Sequence, residues 1–294
     1  MEASDLIKKV RKIEIKTRGL SKNIFAGEYH SAFKGRGMTF SEVREYQYGD
    51  DIRNIDWNVT ARFNHPFIKV YEEERELTVM LLIDVSHSRV FGSQSQLKKN
   101  LITEIAAVLS FSAIQNNDKI GVILFSDRVE KFIPPKKGRT HILRIIRELI
   151  EFTPEQKGTN ISEALRYLTN AIKKRSTAFL ISDFMDEDDQ TGMLRFDEAI
   201  KIANRKHDVI GLRIYDIREK ELPPVGLIRM RDAETGVYAW VDTSNAKLRK
   251  QYAHWAEEME ARINNTLMKA GVDYVSVATG QDYVKPLIQL FKKR

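Results

Sequence analysis

Val79-Met80-Leu81-Leu82-Ile83-Asp84-Val85-Ser86-His87-Ser88 is an apolar run that stops abruptly in one carboxylate and two hydroxyls. A strand covered on both faces of a parallel sheet reads as a near-continuous hydrophobic stretch. Open α/β sheets place ligand sites just beyond the carboxyl ends of such strands. Asp84, Ser86 and Ser88 therefore stand where a site is expected, and their hard oxygens suit Mg²⁺ or Mn²⁺ better than Zn²⁺. Taken alone, the same residues also serve as turn-capping groups at a strand end.

The segments on either side of this run alternate between strand and helix patterns. Leu97, Leu101, Ile105, Val108 and Leu109 keep helical spacing, and Lys119 to Phe125 reads as a strand. Val129 to Ile133 resembles an edge strand ended by Pro134-Pro135. Helices are expected near 139–151, at Ile161, Leu165, Leu168 and Ile172, and near 192–205. Strands are expected at Thr177–Ser182, Asp208–Ile214 and Val272–Val277, with a hairpin from Leu227 to Val241 around Glu234-Thr235-Gly236. Leu248, Tyr252, Trp255, Met259, Ile263 and Leu267 form a long stripe read as core, with Gly271 ending its helix and a final helix after it. This order predicts an α/β fold with a doubly wound, mostly parallel sheet.

Two later positions complete a candidate shell. Thr159 lies in Lys157-Gly158-Thr159-Asn160, just before a helix, and Asp183 follows the apolar run Ala178-Phe179-Leu180-Ile181. A helix start and a second strand end can converge at one sheet edge, so Asp84, Ser86, Ser88, Thr159 and Asp183 are the candidate metal residues. Thr159 as a helix cap and Asp183 as a turn residue are the local alternatives.

In this order the five residues resemble the metal-ion-dependent adhesion site of von Willebrand factor type A domains: Asp-x-Ser-x-Ser, then Thr, then Asp. The resemblance implies that the hydroxyls of Ser86, Ser88 and Thr159 touch the ion while Asp84 and Asp183 act largely through water. A cation with few directly bound anions keeps enough charge to accept a partner's carboxylate. The implied site docks a protein and carries no reaction. Arg89 departs from the usual Met or small residue after the second Ser, and it sets a positive charge beside the motif.

A second resemblance covers nearly the whole chain. Residues 35–76 contain Gly-Arg-Gly-Met-Thr-Phe-Ser-Glu-Val-Arg-Glu-Tyr, Tyr-Gly-Asp-Asp-Ile-Arg-Asn-Ile-Asp-Trp, Thr-Ala-Arg and Tyr-Glu-Glu-Glu-Arg-Glu. This block is similar to the bacterial family called domain of unknown function 58, whose members carry it ahead of a von Willebrand A-like domain. The resemblance implies two parts, an extension over 1–76 packed on a core domain over 77–294. That family is commonly encoded beside MoxR-type AAA+ ATPases, which implies an adaptor or co-chaperone role. Within the block, Gly35, Gly37 and Tyr48-Gly49-Asp50-Asp51 mark turns. Arg44, Asp50, Asp51, Arg53, Asp56, Trp57 and Arg62 are read first as Arg–Asp bracing of the segment. Recognition of a partner or nucleotide by Asp50, Asp51 and Arg53 is the second reading.

Composition narrows the classes. The 294 residues include 42% hydrophobic ones, enough for one large or two small domains. No stretch reaches roughly 18 consecutive apolar residues, and Met1 to Val10 lacks the apolar core of a signal peptide. There is no Cys, which excludes disulfides and thiol chemistry. Together these predict a cytoplasmic protein. The net charge of +7 is concentrated early, with nine Lys or Arg against four acids in residues 1–36. Leu6, Ile7, Val10 and Ile13 lie near one helical face there, so residues 1–22 either pack on the protein or contact anionic lipid peripherally. Nucleic acid is a weaker reading of the same charge.

The chain has no Gly-x-x-x-x-Gly-Lys-Ser/Thr loop, no Gly-x-Gly-x-x-Gly fingerprint and no His-Glu-x-x-His pair. His87 alternates with the proposed ligands and faces away from them. The run Asp186-Glu187-Asp188-Asp189 is read first as a solvated loop before a helix and second as tuning the field or binding a second cation. A Mg²⁺-dependent phosphatase or nuclease using the same oxygens is the alternative activity. A haloacid-dehalogenase-like phosphatase would need a carboxylate two residues after Asp84, where Ser86 stands.

Overall fold

The computed structural model describes residues 39–72, 77–86, 97–156, 158–188, 191–231 and 237–294. The basic segment 1–22, Gly35 and Gly37, the 87–89 end of the first motif and the 234–236 hairpin tip lie outside them. The chain divides into a small unit, Phe33–Leu77, and a large one that takes in Thr78–Arg294.

In the small unit, β1 (Thr39–Glu45) pairs antiparallel with β2 (Phe67–Glu72), and α1 (Trp57–Phe63) lies between them in sequence. Arg44, Asp50, Asp51 and Asp56 of the block are spent locally. Arg44 grips Asp50 through both guanidinium nitrogens at 2.9 and 2.8 Å, and Gln47 N–H donates to the same carboxylate. These bonds, led by the one from Arg44, hold Asp50 below the usual carboxylate range. Gly49 turns the chain there with φ 109°. Asp51 caps the short 3-10 turn Ile52–Asn54, and Asp56 caps α1 through the N–H groups of Asn58 and Val59. The Arg–Asp bracing reading holds for Arg44 and Asp50, whereas Asp51 and Asp56 act as caps. Trp57, by contrast, is two-thirds exposed.

The large unit runs β3 (Thr78–Asp84), α2 (Lys98–Gln115), β4 (Lys119–Phe125), β5 (Val129–Lys136), α3 (Arg139–Glu151), α4 (Ile161–Ala171) and β6 (Thr177–Ser182). It continues through α5 (Asp197–Lys206), β7 (Asp208–Tyr215), β8 (Leu227–Arg231), β9 (Tyr238–Asp242), α6 (Ala246–Lys269), β10 (Asp273–Ala278) and α7 (Val284–Lys292). Six strands form one sheet in the order β10-β7-β6-β3-β4-β5, all parallel except β5. β8 and β9 form a separate hairpin. The sheet is the doubly wound, mostly parallel arrangement expected from the sequence.

β3 is central, and six of its seven residues are buried. Met80 and Leu82 join Ile123, Phe125 and Leu180 on one face, under Leu165 of α4, Ile200 of α5 and Ile263 of α6. On the other face Phe179 meets Phe291 of α7 edge to face, ring centroids 6.1 Å apart. Each such side chain contributes roughly 1.5–3 kcal/mol on burial, which explains why an apolar β3 anchors the sheet.

Three local details differ from expectation. β5 continues through Pro134-Pro135 to Lys136, because an edge strand loses no outer ladder bond where proline lacks an N–H. The helix expected from about 192 starts at Asp197; Glu187 and Leu194 bridge there, and Phe196 turns inward against Phe184 instead. In the α6 stripe only Met259, Ile263 and Leu267 are core, whereas Trp255 is 40% exposed.

His207, after α5, is buried with Nδ1 3.0 Å from the Ser176 hydroxyl. Its Nε2 meets no hydrogen-bond partner among the described residues. Burial, and then the charges of Lys206 and Arg175, push the imidazole down to about 4. A base with a lowered folded pKa contributes stability that is complete above its unfolded value near 6.5 and is lost as pH falls toward 4. Urea unfolding at pH 7 and pH 5 should show His207→Asn losing less stability on acidification than wild type, by roughly 1–2 kcal/mol. Equal losses would show that His207 is not buried neutral.

Candidate metal centre

The chain leaves β3 toward β4 and β5 on one side and returns to β6 on the other, so the carboxyl ends of β3 and β6 form the topological switch point. Crevices at such points are where open α/β sheets bind ligands. Asp84 is the last residue of β3 and Asp183 the first after β6. Thr159 is brought to the same edge by its neighbours. Asn160 N–H donates to the Ser126 carbonyl just beyond β4, and Ile161 N–H donates to Asp186 just beyond β6. Asp84, Ser86, Thr159 and Asp183 are all buried. The structure thus gathers four of the five expected residues at one edge; Ser88 lies outside the described residues.

Asp84 accepts from Ser86 N–H at Oδ1 (2.9 Å) and from the Ser182 hydroxyl at Oδ2 (2.7 Å). The Ser86 hydroxyl bonds the same carboxylate, which leaves part of its roughly four lone-pair positions for a further partner. Burial, and then the charge of Asp183, push Asp84 up to about 7 despite the bonds from Ser182 and Ser86. Asp183 is aimed by an unusual backbone: the next residue, Phe184, is left-handed at φ 62°. For a bulky residue that conformation costs about 1–2 kcal/mol, here held by burial of its ring against Phe196. Backbone strain of this kind concentrates where a side chain must be pointed.

Lys98 was not legible as part of this site. It opens α2, is 1% exposed, and places Nζ 3.2 Å from Asp183 Oδ2 while also pairing with Glu219. Desolvation opposes its charge, but Asp183 and Glu219 outweigh that and hold the ammonium protonated above the ordinary lysine range. Ser182, the donor to Asp84, and Glu219, on the 3-10 turn Ile217–Glu219 after β7, were missed as well. Ser182 directly precedes Asp183 and could have been read from the strand end. Lys98 and Lys99 are indistinguishable in sequence, and only the fold buries one of them.

The donor set fits a hard divalent cation. Among the described residues no three His, Cys, Asp or Glu side chains form a ligand cluster, so direct ligation would have to draw on the hydroxyls. Two carboxylates, Asp183 and Glu219, share the Lys98 ammonium, and Asp84 lies close enough to Asp183 to feel its charge.

Comparison with known proteins agrees with this architecture. The family described as protein of unknown function DUF58 matches residues 42–262. The chain belongs to DUF58. An uncharacterized protein of Mycobacterium tuberculosis is 27% identical to this DUF58 chain over 287 residues, 97% of the chain and 88% of the relative. A Mycobacterium bovis protein matches to the same extent. Among solved structures, an aerotolerance-related membrane protein from Bacteroides fragilis aligns with a TM-score of 0.52 and 17% identity, over 74% of the DUF58 chain and all of that protein. That likeness concerns the fold. No helix among the described residues is long and apolar enough to cross a membrane.

Proposed function

We propose that this DUF58 chain is a metal-dependent protein-interaction module, an adaptor or co-chaperone for a MoxR-type AAA+ ATPase in the cytoplasm. The observation that carries the reading is the burial of Asp84, Ser86, Thr159 and Asp183 at the switch point, where Asp84 feels the charge of Asp183. Ser86, Ser88 and Thr159 would hold Mg²⁺ or Mn²⁺ directly, with Asp84 and Asp183 behind them. When bound, the ion supplies an electrophilic position for a carboxylate of the partner. This chain's residues do the rest: Ser182 and Ser86 N–H orient Asp84, and the Phe184 turn orients Asp183.

The test is retention of a purified MoxR-type ATPase from the same organism on immobilised chain. Wild type with Mg²⁺ should hold it, while chelator or Thr159→Ala should release it. Equal retention in all conditions removes the metal site as the contact. Mg²⁺-dependent phosphatase or nuclease turnover that Thr159→Ala abolishes would replace the docking role with hydrolysis.

A further inference from the structure

Lys98 is a buried cation shared by two carboxylates of different standing. Asp183 belongs to the candidate metal shell. Glu219 does not: it is half-buried on the turn after β7, where its side chain accepts from Asp216 N–H at 3.2 Å in a capping box. Asp216 is in turn fixed by the Thr279 hydroxyl at 2.6 Å, beyond β10. Glu219 is therefore held in place by β7 and β10, whatever happens between β3 and β6.

An ammonium and a divalent ion that draw on the same buried carboxylate, the ion through a bound water, repel each other, because a protein interior screens charge far less than water. An unpaired buried ammonium is equally unfavourable. A pre-positioned second carboxylate resolves the conflict. We infer that Lys98 is the site's own counter-cation, released from Asp183 when a divalent ion binds and retained by Glu219. The inference rests on the metal-site reading above and adds a residue that sets its affinity. An ion whose bound water draws on Asp183 competes with Lys98 for that carboxylate, so the site is weaker than its oxygens alone would make it, and Glu219 offsets part of that cost.

Titration calorimetry of the full chain with Mn²⁺ tests this in wild type, Lys98→Gln, Glu219→Gln and the double variant. Lys98→Gln should bind about tenfold tighter and Glu219→Gln several-fold weaker, the first corresponding to about 1.4 kcal/mol. Because Glu219 acts through Lys98, the double variant should match Lys98→Gln, a coupling that unlinked charges would not show. Weaker binding by Lys98→Gln, or an undiminished Glu219 effect without Lys98, overturns the inference and leaves the metal site standing. No binding by wild type overturns the metal site itself, with Lys98 then its permanent substitute. Should Lys98→Gln fail to fold, side-chain NMR of wild type decides: the Lys98 resonance should shift on Mg²⁺ addition, and an unmoved resonance in a protein that binds Mg²⁺ refutes the exchange.

Discussion

Lys98→Met should lower the stability of the metal-free protein by about 3–5 kcal/mol, the cost of removing one partner from a buried ion pair. The methionine chain fills a similar volume, so the loss reports charge: Asp183, 6% exposed, is left without its ammonium and Glu219 without its partner. Lys201→Met is the internal control. Lys201 and Asp197 are both more than one-third exposed on α5, and such an i,i+4 pair contributes only about 0.3–0.5 kcal/mol. Urea midpoints at neutral pH separate the two. If both substitutions cost the same small amount, Lys98 is not buried between two carboxylates, and the electrostatics of the switch point must be redrawn.

Asp84→Asn should produce a change of opposite sign at the same edge. In metal-free protein above neutral pH the amide removes a buried negative charge facing Asp183, while its oxygen remains available to Ser86 N–H or the Ser182 hydroxyl. The variant should therefore unfold at a higher temperature than metal-free wild type. Its response to cation should vanish. Wild type at an ion concentration of about 100 Kd gains about 2.7 kcal/mol by mass action, roughly 4–5 °C for a chain of this size. A melting series with and without Mg²⁺ at pH 8 reads both effects, and an Asn variant that gains as much from Mg²⁺ as wild type would exclude Asp84 from the cation's environment.

Both expectations depend on where the fold puts charges, and only some of that was legible beforehand. Asp84, Ser86, Thr159 and Asp183 could be proposed because each ends or begins an element whose apolar pattern is strong. β3 buries Val79 through Asp84, β6 is buried throughout, and α4 carries Ile161, Leu165 and Leu168 inward. Strand and helix patterns of that strength locate chain ends, and chain ends of parallel strands locate the site edge. The errors fall where the local pattern is weak. The start of α5 moved five residues because Phe196 and Leu194, which extend an apolar pattern, are held outside the helix by Phe184 and by the bridge to Glu187. Likewise Trp255 continues the α6 stripe by spacing and yet faces outward, because a stripe longer than the core it covers must end in solvent.

The amino-acid sequence by itself determined the alternating α/β order, the central place of the 79–84 run and the oxygen-bearing residues at its end. These follow from period and polarity along a continuous chain, which local physics sets. It did not determine that Lys98, and not Lys99, enters the interior, or that Ser182 and Glu219 stand beside Asp84 and Asp183. Those contacts join residues 85 and 98 positions apart or more. They exist only because β3, β6 and β7 lie side by side. The charge balance at the switch point is therefore a property of tertiary structure: it depends on distances between groups that the sequence leaves unrelated.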